Sequence, residues 1–354
     1  MFNKRTALNY IKPDPKLYGV DFTFDDFNGM PYRILGNSGL RVSNIGLGTW
    51  KFGMPETGDG ARVNEKTAFA IMDMAMEEGV TFWDTANRYN NASGNSERVI
   101  GKWLHANTQL RRYVILATKL FGATEGTTPN HCRLSRANIL ESTYASLERL
   151  QTDYIDVMYF HSYEDTTPID ESLMAIEDLI AQDLIRYFGV SNFSVDNLKA
   201  YAKFNKDFKR AGVQAVQNRY DVLYKESDGY EGVLDYCGQN KISFVPWGPL
   251  RQGLLSERYL DKTKIGKGDR LYDEQVLDKE LTPDVSDKLQ KLTRVAHKYD
   301  MTLSQQTLAY MLQIPAMGPM IVASSTVEQL KENAKAGKIV LSKGQITEVE
   351  NILA

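Results

Sequence analysis

Short apolar, β-branched runs alternate along most of this chain with longer stretches in which apolar residues recur every three to four positions. The short runs are VSNIGLGT (42–49), VTFWDT (80–85), YVILATK (113–119), YIDVMYF (154–160), LIRYFGV (184–190), VQAVQ (213–217), ISFVPW (242–247) and PMIVAS (319–324). Such runs read as strands buried on both faces, and the longer stretches as amphipathic helices. In NEKTAFAIMDMAMEEG, Ala68, Ile71, Met72 and Ala75 form one stripe that stops before Gly79. In SRANILESTYASLERL, Ile139, Ser142, Leu147 and Leu150 sit on or near one face, with Ser135 placed to cap the first turn. Eight strands with helices between them fit a closed parallel α/β barrel, the (β/α)8 TIM barrel, although an open doubly wound sheet shares the alternation.

A dinucleotide site on such an open sheet needs a glycine fingerprint after the first strand and an acidic residue about 20 positions later. IGLGTWKFG places Gly46 and Gly48 at the right spacing, but Lys51 stands where the third glycine belongs and Gly53 comes too late. The match is poor, which favours the barrel. A barrel of roughly 250 residues with added loops also suits the length. Residues 1–30, with Pro13, Pro15 and no clear period, predict an irregular extension ahead of a single barrel domain over 31–354.

Composition narrows the class of partner. The chain carries 42 Lys and Arg against 45 Asp and Glu, a net charge of −3, and 42% of its residues are hydrophobic. This is an ordinary globular balance with no long basic stripe for a phosphate backbone, so no nucleic-acid partner is expected. No stretch approaches about 18 uninterrupted apolar residues, and the N-terminus lacks the apolar core of a signal peptide. No membrane insertion and a cytoplasmic location are therefore expected. Two cysteines, Cys132 and Cys237, do not make a disulfide framework, which agrees with a reducing compartment.

Chemistry in a barrel collects at the C-terminal strand ends. There Asp84 ends the second predicted strand, Lys119 ends the third, His161 follows the fourth, Ser191 and Asn192 follow the fifth, and Gln217 ends the sixth. Tyr89 lies five residues beyond Asp84, in the loop ANRYNNASGN. A lysine beside a tyrosine is expected to lower the phenol pKa from about 10, with the carboxylate of Asp84 holding the ammonium charged. Tyr89 can then donate a proton to an oxygen that becomes negative as a carbonyl is reduced, with His161 as a second donor. The arrangement needs neither a nucleophile nor a metal.

The ordered series RILGNSGLRVSNIGLGTWKFG, FWDTANRYN, SERVIGKWL, ILATK, DYIDVMYFH, IRYFGVSNF, VQNRYDVL and VEQLKEN resembles the aldo-keto reductase superfamily over about residues 31–354. The resemblance implies an eight-stranded barrel and a nicotinamide cofactor held without the glycine fingerprint. It implies a catalytic tetrad of Asp84, Tyr89, Lys119 and His161, with tyrosine the general acid. It further implies that Ser191, Asn192 and Gln217 hold the nicotinamide carboxamide and that Trp247 stacks on its ring. Gly48, Thr49, Trp50 and Asp84 complete that end of the cofactor site, and Trp50, Tyr89 and His161 face the substrate. WGPLRQGLLSERY matches the loop that passes over the pyrophosphate, which assigns Gly248, Pro249, Leu250, Gly253, Leu254 and Arg258 to the cofactor, with Arg251 as a further source of charge. Ser325, Gln329, Glu332 and Asn333 match the series around the adenosine, where Ser325 can donate to a 2′-phosphate. Gln329 is a departure, because many relatives that use NADP have an arginine there, a stronger phosphate ligand. Lys331 is a nearby cation that could contribute instead.

The resemblance thus implies an NADPH-dependent oxidoreductase that reduces an aldehyde or ketone, a small carbonyl or an open-chain sugar, by hydride transfer from the pro-R side. The loop after Tyr89, residues near Tyr163 and the loop after Tyr220 are further expected walls of the substrate pocket. Two other uses of the same residues stay open: oxidation of alcohols in the reverse direction, and a cofactor-binding regulatory or interaction module with little turnover. A homo-oligomer is also left open.

Overall fold

The computed structural model describes residues 26–124 and 126–354. The irregular extension expected over residues 1–30 lies, up to residue 25, outside the described residues. Eight parallel strands form the barrel sheet: β1 (Ile45–Gly48), β2 (Phe82–Asp84), β3 (Ile115–Leu120), β4 (Ile155–Phe160), β5 (Ile185–Ser191), β6 (Val213–Gln217), β7 (Ser243–Phe244) and β8 (Met320–Ala323). Neighbours in sequence are neighbours in the sheet, and β8 returns to pair with β1 from Met320 opposite Ile45 to Ala323 opposite Gly48. Single parallel bridges, Phe244 to Met317 and Trp247 to Ile321, close the ring between β7 and β8. The expected barrel is the fold.

The predicted helix faces hold. Ala68, Ile71, Met72 and Ala75 are buried on helix Glu65–Glu77, which Asn64 caps by accepting the Thr67 N–H. Ser135 caps helix Arg136–Leu150 by accepting the Asn138 N–H, and Ile139, Ser142 and Leu150 are buried while Leu147 is partly so. Among the described residues no helix is long and apolar enough to cross a membrane.

Three strand predictions need correction. Run 42–49 breaks at Asn44: Arg41–Ser43 pairs antiparallel with Met30–Ile34, and only Ile45–Gly48 enters the barrel. Run 80–85 shortens to Phe82–Asp84, and run 242–247 shortens to Ser243–Phe244. Beyond Phe244 the ladder with β6 continues, Val245 N–H to the Val216 carbonyl at 2.7 Å and Trp247 N–H to the Asn218 carbonyl at 3.0 Å, while Phe244 N–H faces the β8 side and donates to the Ala316 carbonyl at 2.9 Å, the side on which Pro246 has no N–H to offer.

Residues 26–30 are also more ordered than an irregular arm. Asp26–Phe27 and Met30–Ile34 form a hairpin around Asn28 and Gly29, both at positive φ (51° and 74°), the conformation that favours Asn-Gly in two-residue turns. Met30–Ile34 and Arg41–Ser43 then plug the N-terminal end of the barrel. Leu35 and Val42 pack there with Phe82, Val157, Tyr159 and Val245 of the interior. Arg33 locks the plug, donating to the carbonyls of Met317 (2.7 Å), Gly318 (3.1 Å) and Leu312 (3.2 Å). With this end stoppered by apolar side chains, access to the barrel axis is left to the opposite end.

One ion pair is built into the helical shell. Glu97, fully buried on helix Asn95–Ala106, accepts from Arg149 Nε at 2.7 Å and from Thr118 Oγ1 at 2.6 Å. Removing one partner of a buried pair leaves a desolvated charge, typically costing about 3–5 kcal/mol. Arg149→Met is therefore expected to lower the unfolding free energy by about that amount, read as a shifted urea midpoint, while Glu97→Gln with Arg149→Met restores most of it.

Candidate functional site

The open end of the barrel gathers the polar strand ends. Asp84 is the last residue of β2, Lys119 lies one residue before the end of β3, His161 directly follows β4, Ser191 ends β5 and Gln217 ends β6. Lys119 and Asp84 are 1% and 2% exposed, so their charges are sustained by each other. Lys119 Nζ lies 2.7 Å from both oxygens of Asp84 and donates to the Thr85 carbonyl at 2.9 Å.

Tyr89 is brought onto this pair by an irregular turn, in which Asn90 and Asn91 are left-handed (φ 57° and 56°). The buried amide of Asn90 donates to the Phe52 carbonyl and ties the turn to the loop after β1. The phenol oxygen accepts from Lys119 Nζ at 2.8 Å and donates to Asp84 Oδ2 at 3.1 Å. The His161 ring stands edge-on to Tyr89 with centroids 6.0 Å apart. Four residues predicted at three strand ends thus share one site.

The electrostatics differ from expectation in one respect. Burial, with the adjacent Asp84 carboxylate, pushes the Tyr89 phenol well above its ordinary range. These two effects outweigh the nearby Lys119, which is held by Asp84 and is itself pulled downward by burial. The phenol therefore stays protonated, as a proton donor must be. Burial, then Lys119 and Arg88, push His161 down to about 3, so its imidazole is neutral near pH 7 and has one N–H to offer.

Beside this cluster Ser191 Oγ donates to the Gln217 carbonyl at 2.7 Å, and Asn192 Nδ2 to the His161 carbonyl at 2.8 Å. Gln217 Nε2 is directed at Asp84 Oδ1, 2.7 Å away. Trp247 is 37% exposed and donates its indole N–H to Asn192 Oδ1 at 3.3 Å.

All of this opens into a cavity of about 1410 Å³, larger than the roughly 300–1,000 Å³ of common small-ligand pockets. Gly48, Trp50, Asp84, Tyr89, His161, Ser191, Asn192, Gln217 and Trp247 line one end; Gly248, Pro249, Leu250, Gly253 and Arg258 run along it; and Ser325, Gln329, Glu332 and Asn333 also line it. Lys119, Thr49 and Leu254 are buried behind the wall rather than on it. Thr49 braces the wall instead, its hydroxyl donating to the Asp84 carbonyl at 2.9 Å. Gly248 has φ 72°, and a Cβ there would meet nothing within 4 Å. The left-handed φ is what favours glycine at this point of the cavity wall.

Other expectations change with the geometry. Arg258 lines the cavity but is paired bidentately with Asp269, and Arg251 is held by Glu280 at 2.7 Å and Asp221 at 2.8 Å. Neither is a free cation. Tyr163 packs against Phe193, centroids 5.4 Å apart, and neither it nor its neighbours over 162–168, nor the loops after Tyr89 and after Tyr220, line the cavity. Gln329 accepts the Ser325 N–H at 2.8 Å, and Glu332 accepts from Thr302 and Ser304 at 2.7 and 2.6 Å. Lys331 is exposed and off the cavity wall.

Four lining cations are absent from the sequence-based assignment: Lys51, Arg62, Arg219 and Arg270. Arg270 covers the Trp50 ring with its guanidinium carbon 4.4 Å from the centroid, and Arg62 meets Asp273 at 3.3 Å. Lys51 immediately follows Trp50 and could have been flagged from that position. Arg62 and Arg270 are more than 200 residues apart in sequence, and only folding brings them together.

The sequence profile of the Aldo/keto reductase family matches residues 44–354. "Uncharacterized oxidoreductase YrpG" of Bacillus subtilis (strain 168) is 35% identical over 324 residues, covering 89% of this chain and 93% of that protein. "Aldo-keto reductase AMT2" of Alternaria alternata is 34% identical over 247 residues, 64% of this chain and 66% of the relative. "Aldo-keto reductase AFTS1" of the same fungus is 31% identical over 334 residues, 88% of each chain.

Proposed function

Because the chain belongs to the aldo/keto reductase family of oxidoreductases, we propose that it reduces an aldehyde or ketone to an alcohol with NADPH in the cytoplasm, Tyr89 acting as general acid. The observation that carries this reading is the single cluster in which the Tyr89 hydroxyl touches both Lys119 Nζ and Asp84 Oδ2 at the base of the cavity.

The residues present fit a nicotinamide dinucleotide: a large cavity, a partly exposed Trp247 ring, and a Gly248 facing open space. Trp247 supplies a flat face for the nicotinamide, and Ser191, Asn192 and Gln217 supply donors and acceptors for its carboxamide. When bound, the nicotinamide supplies the hydride. The protein's work is placement and charge. A carbonyl oxygen set between the Tyr89 hydroxyl and the neutral His161 N–H is polarised by both, and Tyr89 gives up its proton as that oxygen gains charge. The phenolate left behind faces the Lys119 ammonium at 2.8 Å, which stabilises it until solvent returns a proton. A small carbonyl or an open-chain sugar suits a site bordered by both Trp50 and these polar groups.

Titrating the folded protein with NADPH and NADH, and following quenching of tryptophan fluorescence, tests the cofactor half of this reading. Trp50 and Trp247 both line the cavity, so saturable quenching is expected, with NADPH the tighter ligand. No saturable binding of either nucleotide would overturn the reading. Tight binding with no turnover on a broad carbonyl panel would replace the reductase with a cofactor-binding regulatory module.

A further inference from the structure

Ser325 and Gln329 border the part of the cavity assigned above to the adenosine, yet no arginine accompanies them. Gln329 is neutral, and its Oε1 already accepts the Ser325 N–H at 2.8 Å. A cation reaches Ser325 from the other side of the chain's ends: Lys51, in the loop after β1, donates from Nζ to Ser325 Oγ at 3.1 Å. The two residues are 274 positions apart, joined because β8 pairs with β1 and delivers Ala323 opposite Gly48.

Among the described residues no carboxylate is in contact with Lys51, and Glu274 acts on it only from farther off. The other cations lining this side of the cavity are engaged: Arg62 with Asp273 at 3.3 Å, Arg258 with Asp269, and Arg270 with Glu274 at 2.7 Å. Arg219 lies over the Trp247 ring instead. Lys51 is partly buried, and burial together with Arg270 and Arg62, against the opposite pull of Glu274, pushes it down to about 8. An ammonium strained in this direction gains from an anion placed beside it. The ten-residue helix Val327–Ala336 begins just after Ser325, and its N-terminal turn adds positive potential at the same place.

Resting on the NADPH reading above, we propose that Lys51 grips the 2′-phosphate of the cofactor with Ser325 as its hydroxyl partner, supplying the charge that position 329 lacks. Lys51 thereby becomes the residue that sets preference for NADPH over NADH.

The test compares dissociation constants for NADPH and NADH, by fluorescence, in the wild type, Lys51→Met and Lys51→Arg. A charge-assisted hydrogen bond to phosphate accounts for about a 10- to 100-fold change in affinity. Lys51→Met is expected to weaken NADPH by that factor and to move NADH by less than about twofold, while Lys51→Arg keeps the preference. Competition against NADPH should mirror this: adenosine 2′,5′-bisphosphate loses its advantage over AMP only in Lys51→Met. Parallel weakening of both cofactors, or an unchanged ratio, overturns the assignment and leaves the NADPH reading standing. A wild type that binds neither nucleotide overturns both.

Discussion

Tyr89→Phe is expected to lower kcat for carbonyl reduction by about 100- to 10,000-fold, the range that a positioned general acid contributes, with NADPH affinity nearly unchanged. The substitution removes only the hydroxyl that sits 2.8 Å from Lys119 Nζ and 3.1 Å from Asp84 Oδ2. Phenylalanine keeps the ring edge-on to His161, and the Asn90 tie to Phe52 that shapes the turn involves no atom of Tyr89. Placement of the substrate survives and the proton does not. Steady-state kinetics, combined with cofactor titration of the same variant, separates the two. Near-normal turnover would show that some other group protonates the oxygen.

The second large effect falls on the residue behind the tyrosine. Lys119→Met leaves the Asp84 carboxylate, 2% exposed, without the ammonium that touches both its oxygens at 2.7 Å. Gln217 Nε2 and the Tyr89 hydroxyl still donate to it, but no charge of opposite sign remains in contact. Breaking a buried pair in this way costs about 3–5 kcal/mol, read from urea unfolding, and it also removes the charge that would stabilise a Tyr89 phenolate. The double variant Asp84→Asn with Lys119→Met distinguishes the two roles. It is expected to recover most of the stability, because no unpaired buried charge is left at the site, and none of the activity, because phenolate stabilisation is still missing.

Much of this site was legible as a linear pattern. In a parallel barrel each strand delivers its last residues to one end, so Asp84, Lys119, His161, Ser191 and Gln217 could be placed together from strand boundaries alone. The stripe on helix Glu65–Glu77 and the Ser135 cap were legible for a similar reason, since period and capping are local properties. The plug was not. Its strands Met30–Ile34 and Arg41–Ser43 are short, and the Asn28-Gly29 pair that turns the chain into them lay in a segment judged by its lack of period.

Pairings between distant residues were legible least. Arg258 read as a phosphate ligand until Asp269 was found against it, and Lys51 read as a failed fingerprint position until Ser325 was found 3.1 Å from its Nζ. The direction of the Tyr89 shift belongs to the same class. A lysine beside a phenol sets the direction of its shift only when nothing stronger opposes it, and here burial and the Asp84 carboxylate on the same hydroxyl push the phenol upward. Charge balance in a buried triad depends on three distances, none of which is written in the spacing of Asp84, Tyr89 and Lys119.

The most direct test of the account is the fate of the hydride. NADPH carrying deuterium on the pro-R side of nicotinamide C4 is turned over against a panel of small aldehydes, aromatic aldehydes and open-chain sugars, and the alcohol is examined by mass spectrometry and NMR. The account predicts one deuterium on the carbinol carbon of each product formed, and product from Tyr89→Phe reduced by about 100- to 10,000-fold under the same conditions. Unlabelled alcohol, or no alcohol from any member of the panel, would contradict it.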